Sequence, residues 1–250
     1  MKCLFLVFAL LPLMALGQSR GLRNVTIAAN TGATGGGGGG GGFSGDIANE
    51  GFEESNSGGA LGSGTDGYDS TLVTGTNGLV DQDFSTSGLS LVGSQCAKVG
   101  ASTSYAFWET TARTELYVYF QWRVPVFPIA ANPYICSISV GGTDQALVRV
   151  LGSSTGSAMR IYNGSTSADT VATMSANTTY HVWLHWKTDG SAVGGFTTDG
   201  TVPTGNNLAT VAGGNGTTSA TRVFLENNDG TETHYFDHLI ISTTPIPSNP

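Results

Sequence analysis

Charge is scarce in this chain: Asp, Glu, Lys and Arg together make up 11% of 250 residues. Basic residues are the scarcest, 10 Lys and Arg against 18 Asp and Glu, for a net charge of −8. Nucleic-acid binding depends on clustered Lys and Arg neutralising phosphates, so this balance speaks against a DNA or RNA partner. Apart from the extreme N-terminus, no apolar run reaches the roughly 18 residues of a membrane span, so no stable membrane insertion is expected. From Phe43 onward no window carries an apolar stripe at helical spacing, which argues against an α-helical domain. A repeat of fixed period, which a parallel β-helix would demand, is missing too. Cysteine is rare, with 3 in the whole chain, and none has a second Cys or a His at metal-site spacing.

What is present begins with a leader. Lys2 precedes an apolar stretch from Leu4 to Leu16, broken by Pro12, and small residues stand at Ala15 and Gly17. This pattern predicts a secretory signal peptide over 1–17 and a secreted product, whether extracellular, periplasmic or at the cell surface. Residues 18–42 form a flexible Gly-rich segment with eight consecutive glycines from Gly35 to Gly42. Its apolar patch at Val25 and Ile27 could form a single strand that pairs with a neighbouring subunit or a larger assembly, which would allow assembly through the N-terminal segment. The expected domain covers 43–243, with a C-terminal tail at 244–250.

Within that domain the signals are those of an all-β chain. Asn-Gly at Asn77, Asn163 and Asn215 and Asp-Gly at Asp66, Asp189, Asp199 and Asp229 punctuate it like hairpin turns. Between Glu115 and Val124, Leu116, Val118, Phe120, Trp122 and Val124 alternate with Tyr117, Tyr119, Gln121 and Arg123. The stretch from Tyr180 to Lys187 repeats the period of two. Further strands are predicted at Tyr134–Val140, Ala146–Leu151, Ala158–Tyr162, Thr221–Glu226 and His234–Ser242. About 200 residues of such strands predict a two-sheet antiparallel sandwich of jelly-roll type.

The strand ELYVYFQWRV, the stretch RIYNGSTSADTVATMSANTTYHVWLHWK, the closing YFDHLIIS and an early GFE resemble the concanavalin A-like lectin and glucanase superfamily, especially its laminin-G-like branch. That resemblance implies a jelly-roll fold over roughly Ile47 to Ser242. It also implies a structural calcium ion joining the first and last strands, with Glu53 and Asp237 as its ligands. The glucanases of the superfamily use a Glu-x-Asp-x-x-Glu strand, which this sequence does not contain. Arg113-Thr114-Glu115-Leu116 resembles one strand of the jelly-roll polysaccharide lyases, but Tyr117 replaces that motif's final Arg and the Gln-Ile/Val-His motif is missing. A non-catalytic domain is therefore expected.

The second faces of the strands carry the candidate ligand site. Tyr117, Tyr119, Gln121 and Arg123, then Arg149, then Arg160 and Tyr162, then His181, Trp183 and His185 combine aromatic planes with planar donors. Sugars are held by stacking against C–H faces and by bidentate polar contacts, so this composition suits a polysaccharide or other glycan. Tyr105 and Trp108 are a second candidate platform, in a Ser/Thr-rich loop. Cys96 and Cys136 are either a disulfide closing a 40-residue loop, worth about 4 kcal/mol, or two buried free thiols. Asn24, Asn163, Asn177 and Asn215 have the form of glycosylation sequons. Together these features predict a secreted carbohydrate-binding, lectin-like domain. A structural or adhesive subunit of a surface fibre or virion, and a polysaccharide lyase or hydrolase with an unrecognised site, are the alternatives.

Overall fold

A computed structural model describes residues 45–52, 72–74, 79–83, 91, 95–99, 104–126, 132–152, 157–228 and 232–250. The predicted signal peptide, the glycine run, Asn24 and Glu53 lie outside these residues. In chain order the strands are β1 (Ala48–Glu50), β2 (Leu72–Thr74), β3 (Leu79–Asp83), β4 (Gln95–Val99), β5 (Ser104–Arg113), β6 (Glu115–Arg123), β7 (Tyr134–Val140), β8 (Thr143–Val150), β9 (Ser157–Asn163), β10 (Thr166–Met174), β11 (Tyr180–Lys187), β12 (Ala192–Thr197), β13 (Leu208–Val211), β14 (Ala220–Asn228) and β15 (His234–Ser242). A single 3₁₀ turn at Gly205–Asn207 interrupts them among the described residues.

Two antiparallel sheets result, as the period-two pattern predicts. Sheet A runs β13-β12-β11-β6-β15-β4-β3, with β1 also on β15, and sheet B runs β10-β9-β8-β7-β14-β5-β2. The faces turned toward each other carry the apolar sets. Leu116, Val118, Phe120 and Trp122 of β6 and Val182, Leu184 and Trp186 of β11 meet Val148, Val150, Met159, Ile161, Val223 and Leu225 of sheet B in one buried cluster. Truncating a buried Trp or Phe of such a cluster to Ala costs about 3 to 5 kcal/mol. The first and last described strands pair, Ala48 with Ile241 and Glu50 with Leu239, as the resemblance implies for the two ends of the domain.

The structure corrects one sequence expectation and decides two points that the sequence left open. The Ser/Thr-rich stretch holding Tyr105 and Trp108 is not a loop but β5, and Trp108 sits in the core with its ring edge-on to Phe52 at 6.4 Å. Of the two alternatives for Cys96 and Cys136 the second holds: they are not joined to each other, and both are buried. Cys136 points into the core, whereas Cys96 packs on the other side of sheet A with Tyr235 and Leu91. Asn163 is no surface sequon, since its side chain is fully buried and its Oδ1 accepts the Gly216 amide at 2.7 Å.

That last contact also explains why the Asn-Gly dipeptides differ in use. Gly164, at φ +64°, turns β9 into β10 as expected of a hairpin. Gly216 instead lies where the chain crosses the sandwich, and a Cβ there would collide with the Gln145 carbonyl oxygen and the Asn163 side chain. Its own carbonyl accepts the Trp186 indole N–H at 2.8 Å.

Candidate functional site

The residues singled out in the sequence lie on two opposite surfaces of the sandwich rather than in one groove. Tyr117, Tyr119, Gln121 and Arg123 alternate with core residues on β6, so they face away from sheet B. The β11–β6 register sets Gln121 beside His181, Tyr119 beside Trp183 and Tyr117 beside His185. Six of the predicted residues are thereby brought together on the outer face of sheet A, with Arg123 at the end of the row. Arg149 and Tyr162 belong to β8 and β9 and stand on the outer face of sheet B. The core between the sheets separates the two sets.

On sheet A the aromatic groups are largely spent on one another. The Tyr119 hydroxyl lies 2.7 Å from His181 Nδ1, and its ring meets Trp183 edge-on at 4.9 Å and His238 at 5.3 Å. Burial pushes the Tyr119 phenol up to about 12; Gln121 opposes the rise and the Asp237 carboxylate adds to it. His181 and His238 are both lowered, chiefly by burial, with Asp199 pulling the former back and the His181 charge depressing the latter further. Residues 244–250 are not a free tail, because Ile246 is buried against Tyr119, Trp183 and Ile240. The Ser248 hydroxyl accepts the Val202 amide at 2.9 Å, and the Asn249 amide donates to the Gly200 carbonyl at 2.7 Å. The middle of this face is thus covered by the chain itself.

Beside it, Tyr117 and His185 stack at 4.1 Å with their ring planes almost parallel, and both hydrogen-bond Glu115 Oε1 at 2.8 Å. Lys187 reaches the same oxygen at 3.1 Å. Burial raises the Glu115 carboxyl, but the three donors outweigh it and hold the group below its ordinary value. The Tyr117 phenol rises to about 12 through burial and this carboxylate. A carboxylate so occupied is a structural tie.

Asp237 is buried on β15, where the register against β6 slips between Asp237 and Ile240 and His238 adopts φ +46°. Its Oδ1 accepts the His238 amide at 2.7 Å, fixing this bulge. Among the described residues no group of three His, Cys, Asp or Glu side chains could hold a metal. Glu53, the other expected calcium ligand, lies outside them.

The remaining predicted residues, Arg149 and Tyr162, border a cleft on sheet B. This cleft, of about 320 Å³, is lined by Tyr134, Asp144, Leu147, Arg149, Tyr162 and Gly164. The Arg149 guanidinium lies over the Tyr134 ring at 4.1 Å from its centre and donates to that residue's hydroxyl. Register places Arg149 directly opposite Tyr134 on one side and Arg160 on the other, while Leu147 stands opposite Tyr162. Arg160 is engaged bidentately by Asp169 at 2.6 and 2.8 Å. Farther along the same face, Arg222 binds Glu109 at 2.8 Å and lies over Phe107.

Tyr134, Asp144 and His238 were not anticipated as site residues. Each sits at an interruption of the ladder: the register slips between Tyr134 and Cys136, between Ile138 and Ser139 where Asp144 pairs, and between Asp237 and Ile240. A bulge puts a residue on the face opposite to the one simple alternation assigns. No sequence signal marks these three slips.

No family model matches the chain, and no curated protein matches it either. Among solved structures, the cellulose-induced protein Cip1 is similar at a TM-score of 0.51 and 14% identity, over 72% of this chain and 95% of that one. A Trypanosoma rangeli sialidase follows at a TM-score of 0.46 and 11% identity, over 68% of this chain and 28% of that one. The binding domain of botulinum neurotoxin DC reaches 0.42 and 11%, over 60% of this chain and 39% of that one. At such identities the likeness to Cip1 speaks for the fold alone, a two-sheet antiparallel β-sandwich.

Proposed function

We propose that this protein is a secreted, non-catalytic carbohydrate-binding domain of the concanavalin A-like kind, with its ligand site on the outer face of sheet B. One observation carries the reading. In the cleft over β7, β8 and β9, two tyrosines stand on either side of a guanidinium, with Asp144 in the wall. Tyrosine faces pack against sugar C–H groups, while guanidinium and carboxylate answer hydroxyls at fixed angles. The outer face of sheet A, richer in aromatics by sequence, is the weaker candidate because Ile246 covers its centre. The missing glucanase and lyase motifs support a binding role over catalysis.

Screening the folded protein on a glycan array tests this reading, with Tyr134→Ala and Tyr162→Ala as companions. Binding that weakens about tenfold or more in each variant is expected, as for loss of a stacking partner. No binding to any glycan by the folded protein would remove the proposal. The structural-subunit alternative has its own test: light scattering with and without residues 18–42 separates a monomer from an assembly.

A further inference from the structure

We infer that the ligand of the sheet B cleft carries a carboxylate, as a uronate or sialate does, and that Arg149 binds it. The inference rests on the carbohydrate-binding reading above and names its substrate class. Its ground is the arrangement of charge on neighbouring strands, in a cleft whose wall also holds the Asp144 carboxylate. Arg149 and Arg160 are direct cross-strand partners, a placement in which like charges repel. Asp169 neutralises Arg160 with both carboxylate oxygens. The described ion pairs give Arg149 no carboxylate partner, whereas Arg222 on the same face has Glu109. Its Nε–H is buried with no acceptor among the described residues, and the guanidinium donates to a neutral phenol, Tyr134.

A half-buried guanidinium with no carboxylate partner among the described ion pairs, beside a second guanidinium and within a cleft, is a site for a planar anion. A carboxylate can take the bidentate geometry of the fork, and a pyranose ring attached to it would then meet the rings of Tyr134 and Tyr162. The net charge of −8 does not oppose this at working salt, because charges more than about 8 Å away are screened at physiological ionic strength.

The test uses the full mature chain with alginate, polygalacturonate and hyaluronate, each compared with its carboxyl-reduced form, which keeps the backbone polymer and removes only the charge. Calorimetry should show at least one acidic polymer bound about ten- to a hundredfold more tightly than its reduced form, the range of a charge-assisted hydrogen bond. The preference should shrink as salt rises and vanish in Arg149→Gln. Arg149→Lys should recover only part of it, since it restores charge without the fork. Equal affinity for acidic and reduced forms overturns the inference while leaving carbohydrate binding intact. An acidic preference that survives Arg149→Gln overturns the assignment to Arg149. Failure to bind any polymer, acidic or reduced, together with a blank glycan array, would take the carbohydrate reading down with it.

Discussion

His234 should make this domain acid-sensitive by an amount that can be worked out in advance. The side chain is fully buried at the start of β15, edge-on to Trp122 at 5.6 Å and beside Phe236 at 6.3 Å. Neither ring nitrogen has a hydrogen-bond partner among the described residues. Burial alone drives its pKa down to about 3 from 6.5. The folded protein therefore keeps His234 neutral over a range in which the unfolded chain protonates it. Stability is full above pH 6.5 and falls as the pH drops toward 3, because the unfolded state binds the extra proton. At 1.36 kcal/mol per unit, the loss from this residue is about 2 kcal/mol at pH 5, about 3 at pH 4, and between 4 and 5 below pH 3. Domains hold about 5 to 15 kcal/mol in total, so one residue removes a large share.

Urea denaturation at pH 7, 5 and 4 measures the effect against His234→Phe, which keeps a planar ring and has no proton to gain. The variant should flatten the pH profile by about 2 kcal/mol between pH 7 and 5. At pH 7 it should equal or exceed the parent, since two unsatisfied buried nitrogens are removed. His181 and His238 are also lowered by burial and leave a residual slope of the same sign. Parallel pH profiles for parent and variant would refute the reasoning, for they would mean that His234 protonates as readily in the folded state as in the unfolded one.

Further predictions follow from single contacts. With Cys96 and Cys136 on different sides of sheet A, melting curves with and without reductant should coincide; a fall in Tm on reduction would show a disulfide after all. Asn163→Ala strands the buried Gly216 amide and should cost about 1 to 3 kcal/mol in urea denaturation, and a cost near zero would mean the crossing segment finds another acceptor. Ile246→Ala should cost about 2 kcal/mol and raise binding of a hydrophobic dye at the uncovered Tyr119 and Trp183, whereas unchanged dye binding would show the face stays covered. An ion shared by Glu53 and Asp237 would raise Tm in millimolar calcium over chelator, by an amount that Asp237→Asn abolishes; coincident curves would leave Asp237 as part of the β15 bulge alone.

The legible parts of the sequence were those where alternation runs unbroken. β6 and β11 carry five and four apolar residues at period two over Glu115–Val124 and Tyr180–Lys187, so their inward faces followed directly. β10 and β12 were missed for want of that signal: the first is a half-exposed edge rich in Thr, Ser and Ala, and the second is built around Gly194 and Gly195. The site was legible as a list of residues but not as a place. Period two states which residues of one strand share a face, and it cannot say which strands share a sheet. Arg149 and Tyr162 thus looked equivalent to Tyr119 and His181 until topology put them on opposite surfaces. Tyr134 and Asp144 stayed hidden because ladder slips reverse the faces that alternation predicts.

The placement of β15 bears on how the molecule is made. The strand lies inside sheet A, between β6 on one edge and β4 and β1 on the other, yet among the described strands it is made last. The Thr243 amide that helps fasten it donates to Asp46, 197 positions earlier. At about 5 to 20 residues per second a ribosome needs many seconds to deliver such a partner, and until then the edges of β6 and β4 stand open. Long-range pairing of this kind also closes slowly once the partner arrives. A nascent chain held open in this way should depend on a holding chaperone to keep its unpaired edges from one another until β15 is in place.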